Sequence, residues 1–203
     1  MTDLTFIAFS TAMVGFLHAF EADHIVAVSN LVTRRSSTKL AIKDGAFWGL
    51  GHSSIILIVG LIFLLGKFLL DETLFGYFEV IVGLMLIILG IIRLRKVIID
   101  NNSPTHHHDH KVAYGVGAVH GLAGSGAVII AALSETKSPN EGIIYLILFG
   151  IGSILGMMLA AGVFSLPFST FFLKNKNITK ALSLLSALLC IGLGSFIIYE
   201  NLI

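Results

Sequence analysis

Six apolar runs, each long enough to cross a lipid bilayer, restrict what this chain can fold into more than any other feature. A membrane-spanning helix needs about 20 mainly apolar residues, and the runs cover residues 4–32, 41–66, 74–95, 112–134, 142–173 and 178–200. Hydrophobic residues make up 56% of the chain and charged residues 12%, a balance that excludes an ordinary soluble domain. We therefore predict an all-α, polytopic membrane protein with six transmembrane helices in a single domain, residues 1–203.

Positive residues concentrate in alternate connections between the runs. The first, third and fifth connections carry most of them, including Arg34, Arg35, Lys96, Lys174 and Lys176. Because basic connections stay in the cytoplasm, the chain is predicted to lie in the cell (inner) membrane with both termini outside the cytoplasm. A net charge of +1 without a basic arm predicts no nucleic-acid partner. The single cysteine, Cys190, allows no internal disulfide and is predicted to be a buried packing residue.

The two halves of the chain resemble each other. Two short stretches match at an offset of about one hundred residues: VGFLHAF (14–20) with VGAVHGL (116–122), and FWGLG (47–51) with LFGIG (148–152). The first match places His18 over His120. With three spans in each half, an odd number, the second half is inverted relative to the first. Inverted repeats are typical of secondary transporters, although channels and redox carriers use them as well.

The predicted organisation follows from this repeat. Repeat one covers about 4–95, repeat two covers about 112–200, and a histidine-rich cytoplasmic loop at about 96–111 joins them. The loop contains the tract THHHDH at 105–110, in which His106 to His110 include four histidines. Such tracts hold metal loosely in some proteins and are plain disordered spacers in others. We interpret the tract as a candidate acceptor or sensing segment.

Polar residues inside the apolar runs are the candidate chemistry. The first run contains LHAFEADHIVAVSN (17–30), although each charge costs roughly 2.5 kcal/mol or more near the bilayer centre. Three runs contribute four histidines to one central layer of the membrane, and imidazole is a favoured ligand for divalent transition metals. The carboxylates nearby would offset the charge of the ion. The predicted metal-binding residues are His18, Glu21, Asp23, His24, His52 and His120.

Structural alternatives exist for the same residues. A single membrane histidine is more often a helix–helix hydrogen-bonding group than a ligand. Asp23 could instead pair with Arg34 or Arg35, and Glu21 could be a partner for an imidazole. At about 100° per residue, Asp23 points roughly 140° away from His18 on a regular helix. The sequence therefore predicts either a break near residues 19–22, which the length of the first run favours, or a role for Asp23 behind an imidazole.

Two further features predict local structure. Pro167 is expected to end or kink the fifth run. Glycines cluster around two of the histidines, at Gly45, Gly49, Gly51, Gly115, Gly117, Gly121, Gly124 and Gly126. Small residues let membrane helices approach closely. The helices that carry the histidines are therefore expected to pack against one another.

Two motifs resemble the nickel/cobalt transporter family. HAFEADHI (18–25) carries an H-x4-D-H pattern and FWGLGHSSII (47–56) carries L-G-H-S, while GAVHGLAGSGA (117–127) is similar to the shorter, urease-accessory branch. The resemblance implies that His18, Asp23 and His24 match the first motif of the family and His52 the second. The chain departs from the family pattern at Leu17, Glu21 and Ser29, and it has six predicted spans where most members have eight.

Together these observations predict a secondary transporter, not an enzyme, that moves Ni²⁺ or Co²⁺ and holds no permanently bound cofactor. Its predicted partners are the metal ion, the lipid bilayer and a cytoplasmic metallochaperone. No G-x-x-x-x-G-K-[ST] motif occurs, so an ion gradient, the membrane voltage or a partner would supply the energy. Because imidazoles bind metal when deprotonated, uptake should weaken as the pH falls through about 6.5.

Three alternative functions stay open at this stage. They are a metal exporter with the same site, a membrane redox protein whose histidines bind haem, and a metal-dependent intramembrane hydrolase. The direction of transport, the preferred metal, the coupling ion and the oligomeric state are also left open.

Overall fold

The computed structural model describes residues 2–32, 35, 37–66, 72–99, 110–136, 138–166 and 176–202. All regular structure in these ranges is helical, which confirms the predicted fold class. The seven helices are α1 (Thr2–His18), α2 (Ala22–Val32), α3 (Thr38–Gly66), α4 (Glu72–Ile98), α5 (His110–Glu135), α6 (Pro139–Ser165) and α7 (Lys176–Leu202). The last five predicted runs correspond to α3–α7, and the first corresponds to α1 and α2 together.

Five helices, α3 to α7, are each long and apolar enough to cross a membrane. Large apolar side chains such as Ile62, Ile88, Leu155 and Phe196 are exposed on them, as expected of surfaces that face lipid rather than water. Helices α1 and α2, with 17 and 11 residues, are each too short to pass the same test alone. They pass it as a pair, which is bent by 58° at the junction. The described part of the chain is therefore that of a membrane protein with five candidate spans and one bent pair of shorter helices.

The predicted break in the first run is present. Helix α1 ends at His18 and α2 begins at Ala22. Two backbone hydrogen bonds tighten the turn: the Phe20 N–H donates to Leu17 O at 2.9 Å, and the Glu21 N–H donates to His18 O at 3.1 Å. The turn contains neither proline nor glycine, so helix-breaking residue types do not explain it.

The fifth predicted run corresponds to α6, which begins three residues earlier than predicted. Helix α6 begins at Pro139, next to an N-cap at Ser138 whose hydroxyl accepts from the Glu141 N–H, a favourable helix start. It ends at Ser165, two residues before Pro167, and its C-cap Leu166 keeps αR backbone angles and donates its N–H to Val163 O. Residues 167–173 of the predicted run lie outside the described residues.

Glycines allow the close helix packing that the sequence predicted. Helix α3 packs against both α5 and α6, α4 packs against α7, and α1 packs against α6. A Cβ atom added at Gly51 would lie 2.1 Å from Tyr114 O, and one added at Gly152 would lie 1.9 Å from Ala12 O. Neither position accepts a side chain without moving a helix. Gly115 is an exception, since nothing lies within 4 Å of its Cβ position.

A buried ionic cluster ties the α2–α3 connection to the start of α5. Asp44 of α3 is fully buried and accepts from the guanidinium of Arg35 and, at 2.8 Å, from His110 Nδ1. The His110 ring also stacks on Phe47, with centroids 4.9 Å apart. Arg35 therefore pairs with Asp44, and the alternative that it pairs with Asp23 is wrong. Residues 106–109 of the histidine-rich tract lie outside the described residues.

Candidate metal site

The break between α1 and α2 brings two histidines of one chain segment onto the same point. His18 is the last residue of α1 and His24 lies in the first turns of α2. Their ring centroids are 4.5 Å apart. His52 of α3 completes the group, with its centroid 5.3 Å from that of His18 and 5.1 Å from that of His24. Three helix segments thus converge on one small space.

Carboxylates fix which nitrogen of each ring carries the proton. Nδ1 of His18 lies 2.9 Å from a carboxylate oxygen of Glu21, and Nδ1 of His24 lies 3.0 Å from one of Asp23. An ionised carboxylate only accepts hydrogen bonds, so each Nδ1 is the donor. The lone pair of each of these two rings therefore resides on Nε2.

These lone pairs have no partner among the described residues. The Nε2 atoms of His18 and His24 are buried without a hydrogen bond, and so are both nitrogens of His52. His24 and His52 are 1% and 0% exposed. An unmade hydrogen bond of a buried polar group costs about 1–3 kcal/mol. Because buried polar groups in proteins nearly always have a partner, a group of such nitrogens at one point is suited to binding a ligand.

One nitrogen from each ring belongs to a set with the dimensions of a metal site. The ligand atoms of His18, His24 and His52 all lie within 4.8 Å of one another. At a nitrogen–metal distance of about 2.0–2.1 Å, two ligand nitrogens of one ion lie at most about 4.2 Å apart, so atoms within 4.8 Å of one another need to move together by only a few tenths of an ångström to share an ion. All three residues were predicted metal ligands.

A second set overlaps the first. The ligand atoms of Asp23, His24 and His120 also lie within 4.8 Å of one another. Asp23 accepts from His24 through one oxygen and from His120 Nε2 through the other, the latter at 2.9 Å. His120 Nδ1 is buried without a partner among the described residues. Asp23 therefore connects the two imidazoles, and His24 belongs to both sets.

The local charges favour a cation at this point. Two carboxylates, Glu21 and Asp23, contact the imidazoles directly. The C-terminal end of α1, where backbone carbonyls carry partial negative charge, lies at His18. Asp23 in the first turn of α2 offsets the opposite charge of that helix start.

The two sides of the site differ. A cavity of about 320 Å³ reaches His18 and Glu21 and is also lined by Tyr145 and Phe149. The indole of Trp48 lies on α3 one turn before His52, and its centroid is 5.7 Å from His24 and 5.9 Å from His120. Trp48 is fully buried. The site is thus open through a cavity at His18 and packed against an aromatic ring at His24 and His120.

All six predicted site residues come together around this point, and three further residues were missed. Glu79 of α4 is a partly buried carboxylate close enough to Asp23 and His120 for their charges to act on it. A carboxylate inside an apolar run was a readable signal. Trp48 and Gly124 gave no such signal, because a tryptophan or a glycine in a membrane helix is ordinarily a packing residue.

Comparisons with known proteins place the chain among two kinds of relatives. The urease accessory protein UreH of Bacillus sp. (strain TB-90) is 32% identical over 171 residues, which cover 77% of this chain and 75% of that protein. Two Arabidopsis thaliana proteins, chloroplast protein FOR GROWTH AND FERTILITY 2 and chloroplast protein FOR GROWTH AND FERTILITY 1, are 29% and 28% identical over 98% and 92% of this chain. The chain spans 58% and 57% of their lengths. No family model and no solved structure matches.

Proposed function

The chain belongs to the family of the urease accessory protein UreH, and from that premise we propose that it is a permease for a divalent transition-metal ion. Nickel is the first candidate and cobalt the second, because the H-x4-D-H and L-G-H-S motifs resemble those of the nickel/cobalt transporters. The ion is the substrate and binds to His18, His24 and His52. Glu21 and Asp23 orient the imidazoles and balance its charge, and His120 receives the ion next or holds Asp23 in place.

One observation carries this proposal: three imidazoles from three helix segments bring ligand atoms within 4.8 Å of one another, and each ring has a buried nitrogen without a hydrogen-bond partner among the described residues. Imidazoles that only joined helices would be hydrogen-bonded to a neighbouring helix. Imidazole nitrogen also suits nickel, copper, zinc and iron better than it suits calcium or magnesium. The donor set therefore selects transition metals.

Charge balance lowers the free-energy cost of moving a divalent ion through the low-dielectric interior of the membrane. A divalent ion carries two positive charges, and the carboxylates of Glu21 and Asp23 together supply two negative ones. An uncompensated charge costs several kcal/mol in such surroundings. With the ion present the site is neutral, so the ion can leave water without an unpaired charge remaining.

The cavity at His18 is the proposed approach to the site. Its volume of about 320 Å³ has room for several water molecules. Glu21, whose side chain is 57% exposed, would meet the ion first. Trp48 closes the opposite side, so release in that direction requires its ring to move.

We further propose six spans in two inverted repeats, with α1 and α2 as one broken span and both termini outside the cytoplasm. Matched contacts support the repeat. Gly51 approaches Tyr114 O as Gly152 approaches Ala12 O, and these partners correspond at offsets of about one hundred residues. Gly15 approaches Phe149 O as Gly117 approaches Trp48 O. A transport site at the meeting of two repeats, on a broken helix, is typical of secondary transporters.

The decisive experiment is ⁶³Ni accumulation by intact cells with and without the protein. We expect the wild-type chain to change accumulation and His18→Ala and His52→Ala to abolish the change, since each removes one of three ligands. Ser54→Ala is the matched control on α3, because this exposed hydroxyl bonds only to Leu50 O of its own helix. Membrane levels of all variants are compared by immunoblot.

The sign of the change decides the direction, because an importer raises accumulation and an exporter lowers it. Parallel assays with cobalt, zinc and manganese rank the metals. Unchanged accumulation in both histidine variants at equal membrane levels would overturn the proposal. A Soret band on the purified protein would favour the haem alternative instead.

A further inference from the structure

One glycine near the proposed metal site differs from the others on its helix. At Gly117 and Gly121 of α5, an added Cβ would meet backbone of α3, 2.0 Å from Trp48 O and 2.5 Å from His52 O. At Gly124 the nearest atoms are all imidazole atoms. Helix packing explains the absence of a side chain at the first two positions and does not explain it at Gly124.

The atoms around Gly124 belong to the unpartnered histidines. Its Cβ position lies 3.2 Å from His18 Nε2 and 3.5 Å from His52 Cε1. His18 Nε2 has no hydrogen-bond partner among the described residues. The Cε1 atom of His52 is bonded to Nδ1 and Nε2 of that ring, and both of these nitrogens also lack a partner there. The space left by the missing side chain therefore borders the lone pairs of two of the three proposed ligands.

The geometry points to Gly124 as the residue that keeps coordination positions of the ion open. This inference rests on the proposed metal site. A bound ion would lie about 2.0–2.1 Å from His18 Nε2. A Cβ atom at Gly124 would lie 3.2 Å from the same nitrogen, so the ion and the Cβ atom would be close neighbours. A methyl carbon there donates no electron pair and excludes water. Glycine leaves room for water as a further ligand beside the three imidazoles.

This room bears on which metal the site accepts. Zinc is satisfied by a compact tetrahedral set, which three imidazoles and one water complete. Nickel favours flat, tetragonal or six-ligand sets, which occupy more directions around the ion. Narrowing the space at Gly124 should therefore penalise nickel more than zinc. Gly124 acts as a specificity-determining residue for ions that need more than four ligands or a flat set.

The test is metal binding to the purified full-length protein in detergent, by calorimetry with Ni²⁺ and with Zn²⁺. Overpacking by one methyl group corresponds to a roughly tenfold or larger loss of affinity. We expect Gly124→Ala to lose about that much for Ni²⁺ and less than about threefold for Zn²⁺. Gly115→Ala, with nothing near its Cβ, should leave both affinities within about twofold.

A second readout separates an open ligand position from a packing role. Cobalt(II) in the wild-type site should show visible bands that shift in Gly124→Ala, because a water ligand is lost, and remain unchanged in Gly115→Ala. Gly121→Ala, whose Cβ meets backbone, gives the pattern of a packing defect: a lower melting temperature with proportional loss of both metals. That pattern in Gly124→Ala would overturn the inference, as would unchanged Ni²⁺ binding.

Two further outcomes are informative. If Gly124→Ala does not survive extraction, the double variant Gly124→Ala/His18→Ala is tested next. Removal of the His18 imidazole leaves space for the methyl group, so the double variant should be monodisperse. If it is not, the inference is overturned. If the wild-type protein binds neither metal, the proposed function fails. If the wild type binds nickel and Gly124→Ala binds it equally well, only this inference fails.

Discussion

Two pairs of glycine contacts match between the two proposed halves of the molecule, at Gly51 and Gly152 and at Gly15 and Gly117, whereas the polar groups at corresponding positions differ. His18 aligns with His120, so Glu21, Asp23 and His24 of the first half correspond to Ala123, Ser125 and Gly126 of the second. His52 corresponds to Ser153. Where the first half has ligands and carboxylates, the second has small residues.

The backbone differs in the same place. The first half breaks after His18, whereas α5 continues without interruption from His110 to Glu135. Ser125 returns its hydroxyl to Leu122 O at 2.6 Å within its own helix. At Gly126 the Phe75 ring of α4 fills the space, 2.8 Å from the Cβ position. At these corresponding positions, the first proposed half therefore has polar groups that meet at one point, and the second has a helix contact made by small residues and a phenylalanine ring.

The largest expected effect comes from His52→Leu. Leucine removes a ligand and replaces two buried nitrogens that lack partners, so stability should stay constant or rise. Metal uptake should fall to background, a loss of roughly a hundredfold or more. Uptake of ⁶³Ni by cells and thermal melting of the extracted protein measure the two quantities.

Ser153→Ala, at the corresponding position, should behave in the opposite way. Its hydroxyl donates to Gly15 O of α1 at 3.1 Å. Loss of that bond should reduce the free energy of unfolding by about 0.5–1.5 kcal/mol and leave uptake unchanged. If His52→Leu lowers the melting temperature while uptake persists, His52 is a structural residue.

An intermediate effect is expected from Asp23→Asn. Asp23 accepts from His24 and from His120, whereas an amide has one accepting oxygen and turns an N–H toward the second ring. One imidazole should therefore lose its fixed proton position, and metal affinity should fall by about 10–100-fold. Calorimetry with Ni²⁺ on the purified protein measures this change.

The corresponding change in the second half is Ser125→Ala. Because this hydroxyl bonds only to its own helix, metal affinity should remain within about twofold of the wild type. Equal losses of Ni²⁺ affinity in Asp23→Asn and Ser125→Ala would mean that both proposed halves contribute equally to metal binding, and would contradict the difference between them.

The last pair of variants tests stability instead of uptake, at the contacts that the two proposed halves share. Gly51→Ala and Gly152→Ala each place a methyl group against a backbone carbonyl of a neighbouring helix, 2.1 and 1.9 Å away. Each should reduce stability by about 1–3 kcal/mol, and the two reductions should be similar because the contacts correspond. Melting temperatures measure them, with Gly115→Ala as the unperturbed reference. Clearly unequal reductions would argue against two related halves.

The sequence by itself determined the class of the protein, the existence of its helices and the identity of the candidate ligands. These are local properties. The length of an apolar run decides whether it can span a bilayer, and a histidine or carboxylate inside such a run is costly wherever it lies. Because a straight helix turns Asp23 about 140° away from His18, the sequence predicted either a break after His18 or a place for Asp23 behind an imidazole, and the structure has both.

Only the tertiary structure decided which nitrogens face one another. The 58° bend sets the angle between His18 and His24, and the packing of α3 against α5 places His52 beside Gly124. The same packing brings His120 to the free oxygen of Asp23, 97 residues away in sequence. Ring orientation depends on contacts between distant segments, which no periodicity within a single helix encodes.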